Sequence, residues 1–316
     1  MSADKVSTYG IDGMNFEIVP FGSYNNSFLS LKNFDEVEYA KIEPKGNGFM
    51  LSICLPRTVR NDNMIPFGLD DVDTIGEINT EIIEALNEVF FDGYDSKLVH
   101  VEICGTCETV GECKCDNIFR LLTNSLLHGT EQNKLFIIKD KEKEILPYCT
   151  GMQSRTIRNR WSLKAYDKYR EMGILSEREL VRLEFCLKSR QINSTLHNNT
   201  DISSVLTEPA LVSLIGLYRV LFDELTEDFV EPYLNRAKAV IRETFIENNY
   251  KPKVTFLECK EIFADEVLAR SLFREADQIK GLDDNSRQTI YRLRQENDWP
   301  RDTLKTIKKL HYLDDM

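Results

Sequence analysis

The chain has 316 residues, 42% of them hydrophobic and 29% charged, enough to bury one large core or two modest ones and to fold unaided. Its formal net charge of −12 works against nonspecific binding to nucleic acid, where affinity comes largely from counterion release by Lys and Arg, so any DNA contact has to rest on local basic patches. Met1 to Ile18 lacks the basic-then-apolar pattern of an export signal, and the most apolar stretch, Ala210 to Leu225, is interrupted by Arg219 and Asp223 and is too short to cross a bilayer; a cytoplasmic protein with its eight cysteines reduced and no membrane contact is expected.

From Tyr9 to Leu55 the chain reads as short strands, Asn15 to Val19, Phe28 to Leu31, Glu38 to Ile42 and Phe49 to Leu55, separated by Gly, Asn and Pro. Thr74 to Val89 then sets Ile75, Ile78, Ile82, Ile83, Leu86 and Val89 at helical spacing, and a strand follows at Lys97 to Cys104. A helix over Asn117 to Leu127, a strand at Lys134 to Ile138 and two alternating strands at Trp161 to Lys168 and Leu180 to Lys188 complete an α+β pattern, an antiparallel sheet layered with helices. Beyond the polar run Ser194 to Ser204 the pattern is mostly helical, which sets a boundary near residue 200 between segments 1–200 and 201–316.

Period-two alternation divides three strands into faces. Val99, Val101 and Ile103 oppose His100, Glu102 and Cys104; Trp161, Leu163 and Ala165 oppose Ser162, Lys164, Tyr166 and Lys168; Val181, Leu183, Phe185 and Leu187 oppose Arg182, Glu184, Cys186 and Lys188. If these strands are neighbours, Glu102, Tyr166 and Glu184 share a surface. Alternation alone describes the solvated face of an antiparallel sheet at least as well. A tyrosine flanked on its own face by Lys164 and Lys168 strains that account, because adjacent cations favour the nucleophilic phenolate. Glu102 and Glu184 offer hard oxygen ligands for Mg²⁺ or Mn²⁺.

Val101-Glu102-Ile103, Thr150-Gly151 with Ser154-Arg155, Tyr166-Asp167-Lys168 and Arg182-Leu183-Glu184 occur in that order. This succession, over about Leu98 to Gln191, resembles the core of filamentous-phage gene II proteins and related rolling-circle plasmid initiators, with a weaker similarity before it. The resemblance implies a cytoplasmic, site-specific endonuclease that starts rolling-circle replication. Tyr166 would attack a phosphodiester of a single-stranded or extruded origin and form a 5′-phosphotyrosine, assisted by Lys164 and Lys168. Glu102 and Glu184 would hold the metal, and host helicase and polymerase would be partners. The sequence departs from the pattern at His100, where relatives commonly carry Arg. No His-hydrophobic-His pair exists, so the histidine-ligated metal site of other nicking enzymes is not available.

A dense basic run, Arg155, Arg158, Arg160, Lys164, Lys168 and Arg170, adjoins Tyr166 and suggests a phosphate track, although charge runs are usually solvated faces; Arg155, Arg158, Arg160, Arg170 and Arg182 form the expected DNA-binding set. Cys104, Cys107, Cys113 and Cys115 have partial knuckle spacing, leaving zinc as an alternative to free thiols. Two short basic helices at Ser286 to Gln295 and Arg301 to Tyr312 suit either core packing or a helix-turn-helix. The rival to a nicking enzyme is a non-catalytic DNA- or protein-binding relative of phage or mobile-element origin, or a zinc-binding interaction protein.

Overall fold

The computed structural model describes residues 8–24, 39–60, 62–111, 113–129, 136–138, 151–154, 156–263, 282–295 and 299–311. Within them, β-branched and aromatic residues alternating with polar ones build β1 Thr8–Pro20, β2 Ala40–Lys45, β3 Gly48–Cys54, β4 Tyr94–Glu108, β5 Phe136–Ile138, β6 Gly151–Gln153, β7 Trp161–Asp167 and β8 Leu180–Leu187. These pair antiparallel in one sheet of order β2-β3-β1-β4-β8-β7-β6-β5. The central strand β8 is buried along its whole length, on both faces. The expected strand at Phe28 to Leu31 lies outside the described residues.

The helices are α1 Pro56–Val59, α2 Ile75–Val89, α3 Cys115–Gly129, α4 Lys168–Glu171, α5 Ser189–Thr195, α6 Ile202–Val205, α7 Glu208–Leu225, α8 Glu231–Glu247, α9 Pro252–Phe263, α10 Asp284–Gln295 and α11 Trp299–His311, with a π-helical turn, Thr226–Val230, joining α7 to α8. The fold is α+β, an antiparallel sheet with helices and a mostly helical C-terminal part. Among the described residues no helix is long and apolar enough to cross a membrane.

One sheet face carries Met14, Phe16 and Ile18, Phe49, Leu51 and Ile53, Val101 and Ile103, Leu183, Phe185 and Leu187, and Trp161, Leu163 and Ala165, all buried. Helix α7 docks there through Tyr218, whose ring stacks on Tyr9 at 5.3 Å and meets Phe185 edge-on at 5.8 Å. The fit requires a glycine beneath it, since a Cβ at Gly105 would lie 2.0 Å from the Tyr218 hydroxyl. That hydroxyl donates to the Leu310 carbonyl at 3.2 Å, and Val110 N donates to Thr306 Oγ1 at 3.0 Å, so α11 is tied to both α7 and the sheet.

Two irregularities shift the register. Phe16 faces Leu98 while Asn15 faces His100, so β4 bulges at Val99. Leu98 is therefore the buried residue and Val99 is only half-buried, correcting the expectation that Val99 shares the face of Val101. In β1, Ile11 faces Ile103 and Gly13 faces Glu102, which leaves Asp12 as an extra residue with no partner across the ladder.

Candidate active site

The polar face of the sheet, opposite α7, gathers side chains from four neighbouring strands. Register explains each position. Lys164 on β7 stands directly across from Glu184 on β8, Tyr166 across from Arg182, Cys104 across from Glu184, and Glu102 across from Cys186. Directly paired residues point to the same face, so Glu102 and Glu184 are diagonal neighbours. The bulge turns Asp12 onto the same surface: one carboxylate oxygen each from Asp12, Glu102 and Glu184 lie within 4.8 Å of one another.

Hydrogen bonds link the group into a network. Tyr166 donates its hydroxyl proton to Glu184 Oε1. The Lys164 ammonium bonds Glu102 Oε1 and lies 3.4 Å from Glu184 Oε2. His100 Nε2 also meets Glu102 Oε1, at 3.2 Å. Arg182, wholly buried, donates from Nη1 to Asp12 at 3.1 Å, from Nε to Thr106 Oγ1 at 3.0 Å, and from Nη2 to the Met64 carbonyl. Glu102 and Lys164 keep 23% and 31% of their side-chain surface, so this part of the cluster is open to solvent while Glu184, Tyr166 and Asp12 lie deeper.

Burial pushes the Glu184 carboxyl up to about 7, reinforced by the negative charges of Glu102 and Asp12. Asp12 is raised for the same first reason, against the pull of Arg182. Burial would also raise Glu102, but the hydrogen bond from His100 and the Lys164 ammonium outweigh it and hold that carboxyl low. The Tyr166 phenol is pushed well above its ordinary range by burial and by Glu184. The expectation that flanking lysines favour the phenolate is thus reversed in the described state: Lys164 is bound to carboxylates, and the phenol is a hydrogen-bond donor.

Lys168 does not continue the strand. Asp167 ends β7 by capping α4, its side chain accepting from Tyr169 N and Arg170 N. Lys168, wholly buried, sets its ammonium 5.8 Å from the Tyr166 ring centre and 2.5 Å from Glu171 Oε2, facing that oxygen without a well-directed hydrogen bond. Tyr169 donates to Glu108 at 2.8 Å, and Tyr148 lies outside the described residues.

The basic run divides. Arg158 and Arg160 sit at the end of β7 opposite to Tyr166 and bind acids of the helical layer, both reaching Glu224 at 3.1 Å and Arg158 also Asp228 at 2.9 Å. The structure does not bring them to Tyr166. Arg170 is exposed on α4, Arg182 has no exposed surface to offer a phosphate, and Arg155 lies outside the described residues. The four cysteines do not converge either: Cys104 shares the carboxylate face, whereas Cys107 lies on the helical face, its thiol against the Thr306 carbonyl. A four-thiolate zinc knuckle requires all four on one side.

The three carboxylates suit a hard divalent cation, and the Lys164 ammonium already stands where positive charge is called for. Asp12 precedes the first strand expected from the sequence, Asn15 to Val19, and so is not among the residues expected at the site; a glycine within a strand pattern, here Gly10 and Gly13, is the signal of a bulge.

No protein-family profile and no curated protein matches the chain. Among solved structures, a rolling-circle replication initiator protein from Geobacillus stearothermophilus is similar over 70% of this chain and 85% of its own, at 9% identity and a TM-score of 0.36. At that degree of overlap the activity of one protein does not follow from the other.

Proposed function

We propose that the protein is a strand-nicking replication initiator of the rolling-circle type, with Tyr166 as nucleophile. The observation that carries this reading is the hydrogen bond from the Tyr166 phenol to Glu184, inside a cluster of three carboxylates with one solvent-facing side. Asp12, Glu102 and Glu184 would hold Mg²⁺ or Mn²⁺, which when bound polarises a phosphate and relieves the repulsion among the acids. Glu184, whose Oε1 already accepts the phenol hydrogen bond, is placed to take the phenol proton as the Tyr166 oxygen forms its bond to phosphorus. The 3′-oxygen then leaves and takes up a proton, so the 5′-phosphate remains on Tyr166. Lys164, released from the carboxylates, is positioned to offset the developing charge. Arg182 positions Asp12, and Arg170 on α4 and Arg57 on α1, both exposed, are the basic side chains we assign to contact single-stranded or extruded DNA.

Purified protein incubated with its origin DNA should form a covalent adduct whose peptide digest carries the phosphate on Tyr166. Tyr166→Phe should keep the fold and DNA affinity and lose the adduct; Tyr169→Phe should keep all three. Chelator should suppress the reaction. An adduct that survives in Tyr166→Phe reassigns the nucleophile. The net charge of −12, together with the commitment of Arg158 and Arg160 to helix acids, favours the second reading, a non-catalytic DNA- or protein-binding relative. Absence of any adduct from wild type on its origin would select it.

A further inference from the structure

The sheet register that builds the carboxylate cluster also builds a second, chemically different set of donors beside it. His100 and Glu102 are two apart on β4 and so point to the same face, and Cys186 on β8 is the direct cross-strand partner of Glu102. Their donor atoms, His100 Nε2, a Glu102 oxygen and Cys186 Sγ, lie within 4.8 Å of one another. Oε1 of Glu102 is the shared centre, 3.2 Å from His100 Nε2 and 3.9 Å from Cys186 Sγ. Its other oxygen lies on the β1 side, 3.8 Å from where a Cβ at Gly13 would stand.

We propose that His100, Glu102 and Cys186 form a binding site for one zinc-class divalent ion, which shares Glu102 with the all-oxygen cluster and differs from it in its nitrogen and sulfur donors. Imidazole, thiolate and carboxylate together match the borderline-soft preference of Zn²⁺ and not the hard-oxygen preference of Mg²⁺. Three protein donors leave a fourth, tetrahedral position for water. His100 and Glu102 each keep 23% side-chain exposure, giving an ion a path from solvent. Two local changes accompany binding. The Cys186 thiol releases its proton to solvent as the sulfur takes the ion. Lys164 gives up Glu102 and retains Glu184, which already lies 3.4 Å from its ammonium. The proposal rests on this geometry, and although it shares Glu102 with the nicking reading, its test reads metal binding and needs no strand nicking.

Co²⁺, a spectroscopic stand-in for Zn²⁺, titrated into reduced, metal-stripped full-length protein tests it. One equivalent should produce a near-ultraviolet thiolate-to-cobalt charge-transfer band that Zn²⁺ abolishes and excess Mg²⁺ does not. Cys186→Ser should remove the band, and His100→Gln, a change at a partly exposed side chain, should weaken Co²⁺ binding about ten-fold or more. No band, a band that persists in Cys186→Ser, or one lost instead in Cys115→Ser, whose thiol lies near Asp167 and Glu179, would overturn the assignment.

Discussion

Replacing Glu184 by Gln tests whether the deepest carboxylate is held against its will. Its folded value of about 7 exceeds the ordinary 4.5, so the folded protein binds a proton more tightly than the unfolded chain does. The associated stability is fully present below the ordinary carboxyl range and is lost as pH rises through about 7. At about 1.4 kcal/mol per tenfold, the gap amounts to about 3 kcal/mol. Glutamine mimics the protonated acid in shape and neutrality. Urea unfolding in chelator should therefore show wild type losing about 2–3 kcal/mol more than Glu184→Gln between about pH 5 and pH 8, most of the full gap. Asp12, raised in the same direction, contributes to both proteins, so the difference between them is the quantity to read. Glu102, held low, loses its contribution only at more acid pH and stays outside this window. Divalent cation should restore wild-type stability at the alkaline end more than that of the variant. Equal losses in the two proteins would refute the account of Glu184 as a buried, repelled carboxylate.

Arg182→Met would leave the Asp12 carboxylate buried without its guanidinium, and a loss of about 3–5 kcal/mol is expected in denaturant unfolding; the Asp12→Asn/Arg182→Met pair should cost less than the sum of the single changes, and near-wild-type stability of Arg182→Met would refute the pairing. Gly105→Ala would drive a methyl into the Tyr218 hydroxyl and should lower stability by about 1–3 kcal/mol, whereas Gly76→Ala in α2, with nothing within 4 Å, should raise it by about 0.5–1 kcal/mol; thermal melts of the two variants check the contrast.

Period-two alternation was legible wherever a strand ran straight. The faces of β7 and β8, and of β4 from His100 onward, follow the sequence residue by residue, which is why Glu102, Tyr166 and Glu184 occur together on one surface. Alternation failed at the irregularities. Val99 and Asp12 sit at bulges, where an extra residue resets the count, and only pairing with another strand reveals it. Lys168 departs because the Asp167 side chain turns the backbone into α4, a local cap hidden within an apparently continuous strand pattern. The basic run misled for a different reason: Glu224, which holds Arg158 and Arg160, is more than sixty residues away, and a long-range ion pair leaves no trace in local composition. Cys104 and Cys107 resemble a ligand pair by spacing, yet an offset of three along a strand sets them on opposite faces.

The extra residue in β1 has a consequence for how such a site arises and is lost. Tyr9 and Ile11, at odd positions, face the helices before the bulge, and Met14, Phe16 and Ile18, at even positions, face them after it. Excising Asp12 alone would join the two phases into one uninterrupted alternation with every apolar side chain still directed inward. The third carboxylate is thus an insertion into an otherwise regular strand. Gain or loss of a single codon can add or remove it while the core pattern stays intact.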